Sequence, residues 1–507
     1  MMKDVDPTPQ SQWSTVPLRL HDREVKKGWV SYQRIPFLIS LALLSIFAFW
    51  CFWAVSNSGL NSSGALTLVV FASAVFLWIF SRLDDTYIAL GAAILLIAMG
   101  VIDDVELFSS LGEDTIWLIL SAFIIAAGVT ASGLAARIAG YVMTGATSIH
   151  QLLHLVTLFL VVTAFAVPST SGRAALTLPI FLALAAVFRE QQRVVLAFSL
   201  LFPSVILLSA VGSYLGAGAH LITSQILSSA GQSSFDVASW LILGLPLALV
   251  SSHISAEIII RMFTAKNDRK LPVKITLDDL QRNISVPISG PLTTAQTRSA
   301  LLVAVVVILW CSESLHGLNP AVVGLIGALL TANPRWGAVN LSKALKSVPW
   351  SLLVFMASTL TLGAGLVNSG AADWLARQIL SSVLIAGDVA PKLFVVLVVI
   401  ISTAAHLVIQ SRSARSAVLI PIIIALSPGV GVDPTAAAFA STAAAGFCHT
   451  LTSSAKPVAI FSDIKNVSTF RQKDLLRLSI VLGPTNAILV ILFSFLIWPL
   501  LGMPLFL

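Results

Sequence analysis

The strongest constraint on this chain is a series of apolar runs, each long enough to cross a bilayer. Candidate spans lie near 36–55, 64–80, 86–102, 115–136, 194–225, 237–260, 298–313, 319–333, 349–368, 435–461 and 478–502. A helix needs about 20 residues to cross the hydrocarbon core. Charged residues are 10% of the chain, against about 25% in soluble domains. The reading is an all-α polytopic membrane protein whose first partner is the lipid bilayer.

The formal charge of +7 reports orientation rather than nucleic-acid binding. With the N-terminus inside, 24 of the 30 Lys and Arg fall on inner segments. The outer loops 56–63, 103–114, 226–236, 314–318 and 429–434 hold none. The expected location is a bacterial inner membrane with a cytoplasmic N-terminus. Residues 1–35, polar and Pro-containing, read as a cytoplasmic tail without a cleavable signal. Cys51, Cys311 and Cys448 offer neither a disulfide framework nor metal spacing.

The halves of the chain repeat. Residues 121–139 align with 358–376 through Ser121/Ser358, Gly128/Gly365, Ser132/Ser369, Gly133/Gly370, Ala135/Ala372 and Ala139/Ala376. The first copy follows an acidic outer segment and the second a basic inner one, so they enter from opposite sides. Inverted repeats of this kind mark secondary transporters, with the site at the repeat interface.

Two further regions, 139–188 and 371–428, resist reading as simple spans. The first is bounded on both sides by inner cations, so it enters and leaves on one side. Its arms, about 155–167 and 174–188, are short for spans. This suggests a re-entrant hairpin with its tip at 168–173. The competing reading is two short helices with Arg173 at the outer surface. The mirrored arms are 391–409 and 416–427, with the tip at Gln410–Arg415. Each hairpin precedes a span broken in its middle, at 209–222 and 441–460, where Gly, Ser and Pro free backbone groups. Half-helix N-termini there would point partial positive charge at a ligand.

The tips carry matched arginines: Ser169/Ser411, Ser171/Ser413, Arg173/Arg415 and Pro179/Pro421 align. An intramembrane cation costs roughly 2.5–3.5 kcal/mol even on lenient scales. No acid is placed beside the tips; Glu257 reads as a surface partner of Arg261 four residues on. The centre is expected to hold up to four cations (Arg173, Arg412, Arg415, Lys456) with His220 and His449. A small bound anion would resolve that charge, held by guanidinium groups and tip hydroxyls. The expected substrate-binding residues are Ser169, Thr170, Ser171, Arg173, Ser411, Ser413, Arg415, Gly218, His220, Thr452, Ser453 and Lys456. Arg412 has no basic counterpart in the first tip, where Thr170 stands, so gating or charge compensation competes with substrate contact. His449 shares that assignment. Lys456 could instead neutralise a helix C-terminus or replace a coupling cation.

The spans, hairpins, broken spans and tip motifs resemble the divalent anion/sodium symporter family over nearly the whole chain. The resemblance implies carriage of succinate, citrate, other dicarboxylates or sulfate. It implies an elevator-type homodimer: scaffold over 36–138 and 298–370, transport halves over 139–297 and 371–507. The family's Ser-Asn-Thr tips help build sodium sites. Here the Asn is Thr170 in one tip and Arg412 in the other, the following Thr is Ser171 or Ser413, and Arg173 and Arg415 stand where small residues are usual. The departures argue against sodium coupling, and no other cofactor or metal is expected. The resulting expectation is a sodium-independent carrier of di- or tricarboxylates working by alternating access, by exchange or with protons, His220 or His449 carrying the proton. The alternatives are a sodium-coupled sulfate or inorganic-anion symporter and an anion channel, which would conduct without saturation. An enzyme is not expected: His150 and His154 have i,i+4 spacing but lack a zinc hydrolase's Glu and read as a solvated pair near the inner surface.

Overall fold

The computed structural model describes residues 34–282, 284, 286–462, 464–465 and 467–507. The tail expected over 1–35 lies, up to residue 33, outside the described residues. Among the described residues the protein is all-helical, and eleven helices are long and apolar enough to cross a membrane.

These eleven are not the same set as the eleven apolar runs. The hairpin arms are longer than expected and qualify as spans: Ile149–Ala166 and Thr170–Val187 in the first hairpin, with 18 residues each. Eighteen residues make about 27 Å of helix. Conversely, the runs near 86–102 and 319–333 shorten to Asp85–Ala98 and Pro320–Thr331. Local chemistry sets these ends. Asp84 caps the first helix by accepting from Thr86 N. Asn319 caps the second, with Pro320 at its first position, where the missing N–H costs nothing.

The repeat is visible in backbone geometry. Helices Asp114–Ser132 and Trp350–Asn368 both have 19 residues. Each gives way to a glycine of the aligned pair, Gly133 at φ 72° and Gly370 at φ 68°. A side chain is disfavoured in that left-handed conformation. Shorter helices follow in both copies, Leu134–Thr144 and Ala371–Val383. The repeats also interlock. Asp85–Ala98 of the first packs on Trp350–Asn368 of the second, and Pro320–Thr331 of the second on Asp114–Ser132 of the first.

Both hairpins turn back within the packed body. Pro168 of the first tip shares a cavity lining with Ala122, Leu215 and Val306. Val306 lies twelve residues into Thr294–Cys311, about 18 Å from its N-terminal end. The second hairpin runs Ala390–Ala404, a tight turn Ala405–Leu407, then Arg412–Leu426. Both expected breaks form. Gln192–Leu208 passes through 3-10 turns Ser209–Gly212 and Tyr214–Gly216 before Gly218–Ser229. Pro434–Ala444 is separated from Lys456–Ser462 by irregular chain.

Candidate substrate site at the second hairpin tip

The two tip serines act first on the backbone. Ser169 Oγ accepts from Gly172 N at 3.3 Å, and Ser411 Oγ accepts from Ala414 N at 3.2 Å. Each therefore caps its return arm, which explains why a serine starts both arms. Thr170 and Ser171 lie half-buried in the first turn of theirs.

The matched arginines have different surroundings. Arg173 is fully buried and engages four of its five N–H donors. Nε donates to Thr163 Oγ1 at 3.0 Å, and Nη1 to the Ile206 carbonyl at 2.9 Å. Nη2 donates to the Leu160 carbonyl at 2.6 Å and Ser209 Oγ at 2.7 Å. Arg173 thus has no acidic partner, as expected, but it is not left for an anion alone to satisfy. The partners are neutral oxygens rather than acids, which is why counting acids missed them. Hairpin ends and helix breaks leave carbonyls without an intrahelical donor, and a guanidinium can cross-link them. Arg137, almost fully buried, does the same at the inner side, where Nη1 donates to the Pro291 carbonyl and to Gln296 Oε1, both at 3.1 Å.

Arg415 is also fully buried, yet none of its three guanidinium nitrogens has a hydrogen-bond partner among the described residues. The same holds for the three buried nitrogens of Arg412. The Cys448 thiol lies beside both groups. Its sulfur is turned toward the Gly446 carbonyl at 3.7 Å, and it interacts with Arg415 without reaching hydrogen-bond geometry. Arg412 is near enough to Arg173, Arg415, His220 and His449 to interact with each electrostatically.

His220 Nε2, His449 Nε2 and Ser416 Oγ are also unpartnered among the described residues. His220 is oriented by its other nitrogen, Nδ1, which lies 3.0 Å from the Ser213 carbonyl, and by stacking on Trp240 at 4.8 Å. Gly218, the first residue of its half-helix, meets the second tip. A Cβ there would lie 3.2 Å from Ser413 Oγ and 2.8 Å from Leu352 Cδ1. That close approach is what requires glycine.

The remaining expected residues lie apart. Thr452 is half-buried, and its backbone N donates to Gln472 Oε1 at 3.0 Å. Ser453 and Lys456 are exposed, so Lys456 is not a buried cation. Lys456 instead interacts electrostatically with Asp85, whose carboxyl also faces Ser411. The expectation that no acid stands near the tips is corrected by this residue, because interlocking of the repeats brings the start of Asp85–Ala98 beneath the second tip. Sequence reading also passed over His406, whose Nε2 lies 2.7 Å from Thr450 Oγ1, and over Ser416 and Cys448. Only Ser416 had a usable signal, its place one residue after Arg415.

Residues 36–504 match the family described as the sodium:sulfate symporter transmembrane region. A citrate/succinate antiporter of Escherichia coli K12 is 24% identical over 77% of this chain and 79% of its own length. A sodium-dependent dicarboxylate transporter of Staphylococcus saprophyticus is 26% identical over 85% of this chain and 87% of its own. A membrane protein of Cupriavidus necator is 26% identical over 61% of this chain, and the match spans only 60% of that relative's length. The fold is shared with the Alcanivorax borkumensis YdaH transporter, at a TM-score of 0.53 and 15% identity over 87% of this chain and 99% of that one.

Proposed function

This chain belongs to the sodium:sulfate symporter transmembrane family, and from that premise we propose that it is a sodium-independent secondary carrier of di- or tricarboxylates. The family and the relatives are transporters rather than enzymes, and the chain is an integral membrane protein with eleven spanning-length apolar helices among the described residues. One observation carries the finer reading: the six guanidinium nitrogens of Arg412 and Arg415 are buried and unpartnered among the described residues. A buried cation without acceptors is costly. A carboxylate supplies charge and paired acceptors together, in the planar geometry guanidinium favours. His220, His449 and Ser416 add unpartnered polar atoms for the rest of a small anion.

Arg412 also supports sodium independence. It stands where the resemblance places an Asn that helps build a sodium site, and it brings fixed positive charge there. The relatives include both an antiporter and a sodium-dependent transporter, and the charge argument is what supports the sodium-independent reading. A carrier is favoured over an anion channel by the mouth on the opposite side. A cavity of about 470 Å³ is lined there by Glu106, Glu113, Asp114, Asp236 and Glu313, and an anion pore would gain nothing from such a ring. The site lies against Leu352, the third residue of Trp350–Asn368, at that helix's inner end. This supports an inward-facing arrangement in which the hairpins and broken spans move against the interlocked helices, in a homodimer with its N-terminus cytoplasmic.

The test is exchange in proteoliposomes, with succinate, citrate or sulfate outside and inside, with and without sodium and a pH gradient. Saturable uptake of a carboxylate without sodium, accelerated by internal substrate or by protons, is expected. Uptake strictly dependent on sodium and indifferent to internal substrate would overturn the reading.

A further inference from the structure

Away from the tips, the inner ends of two antiparallel helices carry facing i,i+4 pairs. His150 and His154 lie on the outbound arm of the first hairpin, Ile149–Ala166. His253 and Glu257 lie near the end of Val237–Phe263. Read separately, these are a solvated histidine pair and a surface carboxylate with its arginine. The fold brings them together. His150 Nε2 is 3.0 Å from Glu257 Oε2, and His154 Nε2 is 3.4 Å from the same oxygen. All three ligand atoms lie within 4.8 Å of one another.

We propose that His150, His154 and Glu257 form a binding site for a zinc-class divalent cation on the inner face of the protein. Three considerations carry this. First, two imidazoles and one carboxylate are a three-protein-ligand set that leaves a fourth position for water. Tetrahedral bonds of about 2.0–2.1 Å separate neighbouring ligand atoms by about 3.3 Å, close to the spacings from both imidazoles to Glu257. Second, the ligands are already oriented by outer partners. His154 has its other nitrogen, Nδ1, at 2.9 Å from His253 Nδ1, so that with His253 as the acceptor Nδ1 keeps its proton and Nε2 is left for the ion. Glu257 is held through its second oxygen, Oε1, by Arg261 Nε at 2.7 Å, leaving Oε2 toward the histidines. Third, the site is reachable: the side chains of His150, His154 and Glu257 are 47%, 27% and 29% exposed. An aqueous ion can enter, and a water can complete the coordination.

The position gives the ion a mechanical consequence. The outbound arm that carries His150 and His154 also supplies Leu160 and Thr163, two of the acceptors that hold Arg173 at the first tip. A bound ion ties that arm to Val237–Phe263 at its inner end. The site is separate from the arginines of the second tip and does not depend on the substrate proposed for them.

The test is titration of the full-length protein, purified without a histidine tag and held in nanodiscs, with zinc chloride against a competing chromophoric chelator. One zinc per chain is expected, with affinity lowered at least 100-fold in His150→Ala/His154→Ala. Glu257→Gln keeps the shape and a hydrogen bond, and should lower affinity at least tenfold while leaving metal-free melting unchanged. His253→Ala, which removes only an outer partner, should cost 10–100-fold. Cobalt(II) should give visible bands of oxygen and nitrogen coordination that zinc abolishes. No saturable binding at one ion per chain would overturn the proposal, as would full affinity in both the double variant and Glu257→Gln.

Discussion

Arg173 donates to Thr163, Ile206, Leu160 and Ser209, while Arg415 and Arg412 donate to nothing among the described residues. Hydrogen bonds to a charged group are worth about 1.5–3 kcal/mol each, so four of them offset the cost of keeping Arg173 in the membrane interior. Its work is positioning: it joins the first tip to the outbound arm and the first broken span. Arg173→Met removes the charge and keeps the length, but takes the guanidinium donor from the Ile206 carbonyl and unties Thr163, Leu160 and Ser209 from it, although the two hydroxyls still donate to Leu160 and Val205. The expected result is a loss of about 3 kcal/mol or more in stability, read as a lower melting temperature, with near-normal substrate affinity in the protein that remains folded. Unaltered melting with abolished affinity would return Arg173 to the substrate site. Sequence identity between the tips could not separate these roles. The acceptors of Arg173 are backbone and hydroxyl oxygens set by the turn at Pro168 and the break at Ser209, and no sequence count of acids records them.

At the scale of elements, the junction between Gly218–Ser229 and the second tip is the tightest contact of the site. A Cβ on Gly218 would press on Leu352 and Ser413. Gly218→Val should therefore disfavour this arrangement of hairpin against scaffold, lowering exchange rate more than binding affinity. Leu352→Ala should restore part of the rate by making room. If Gly218→Val exchanges at the original rate, the close approach has no bearing on transport. Much at this scale was legible in sequence: the repeat, its Gly133/Gly370 joints, both hairpins and both breaks, because glycine, proline and capping serine act locally. What was not legible depended on pairing between distant segments. Asp85 reaches the second tip only because the repeats interlock, and Glu257 meets His150 and His154 only because two helices pack antiparallel at their inner ends. Lys456 was misplaced for the opposite reason: it stands at the exposed start of Lys456–Ser462, while the apolar face of that short helix, Pro457, Val458 and Phe461, is buried.

For the whole molecule, two guanidinium groups without partners among the described residues lie at the second tip, and a carboxylate-lined cavity lies at the far end of Gly218–Ser229, whose first residue meets that tip. A carrier that brings its own positive charge has no need to bind sodium before the anion. The most direct measurement is the affinity of the purified protein for citrate and succinate in sodium-free buffer, in the unaltered chain, Arg412→Gln, Arg415→Gln and Arg173→Met. Saturable binding without sodium is expected, weakened about 100-fold in each of the two second-tip variants. That is about 2.7 kcal/mol, within the range for one charge-assisted hydrogen bond. Folded Arg173→Met should bind nearly as the unaltered chain does. Binding that requires sodium, or affinity unchanged in both Arg412→Gln and Arg415→Gln, would contradict the account.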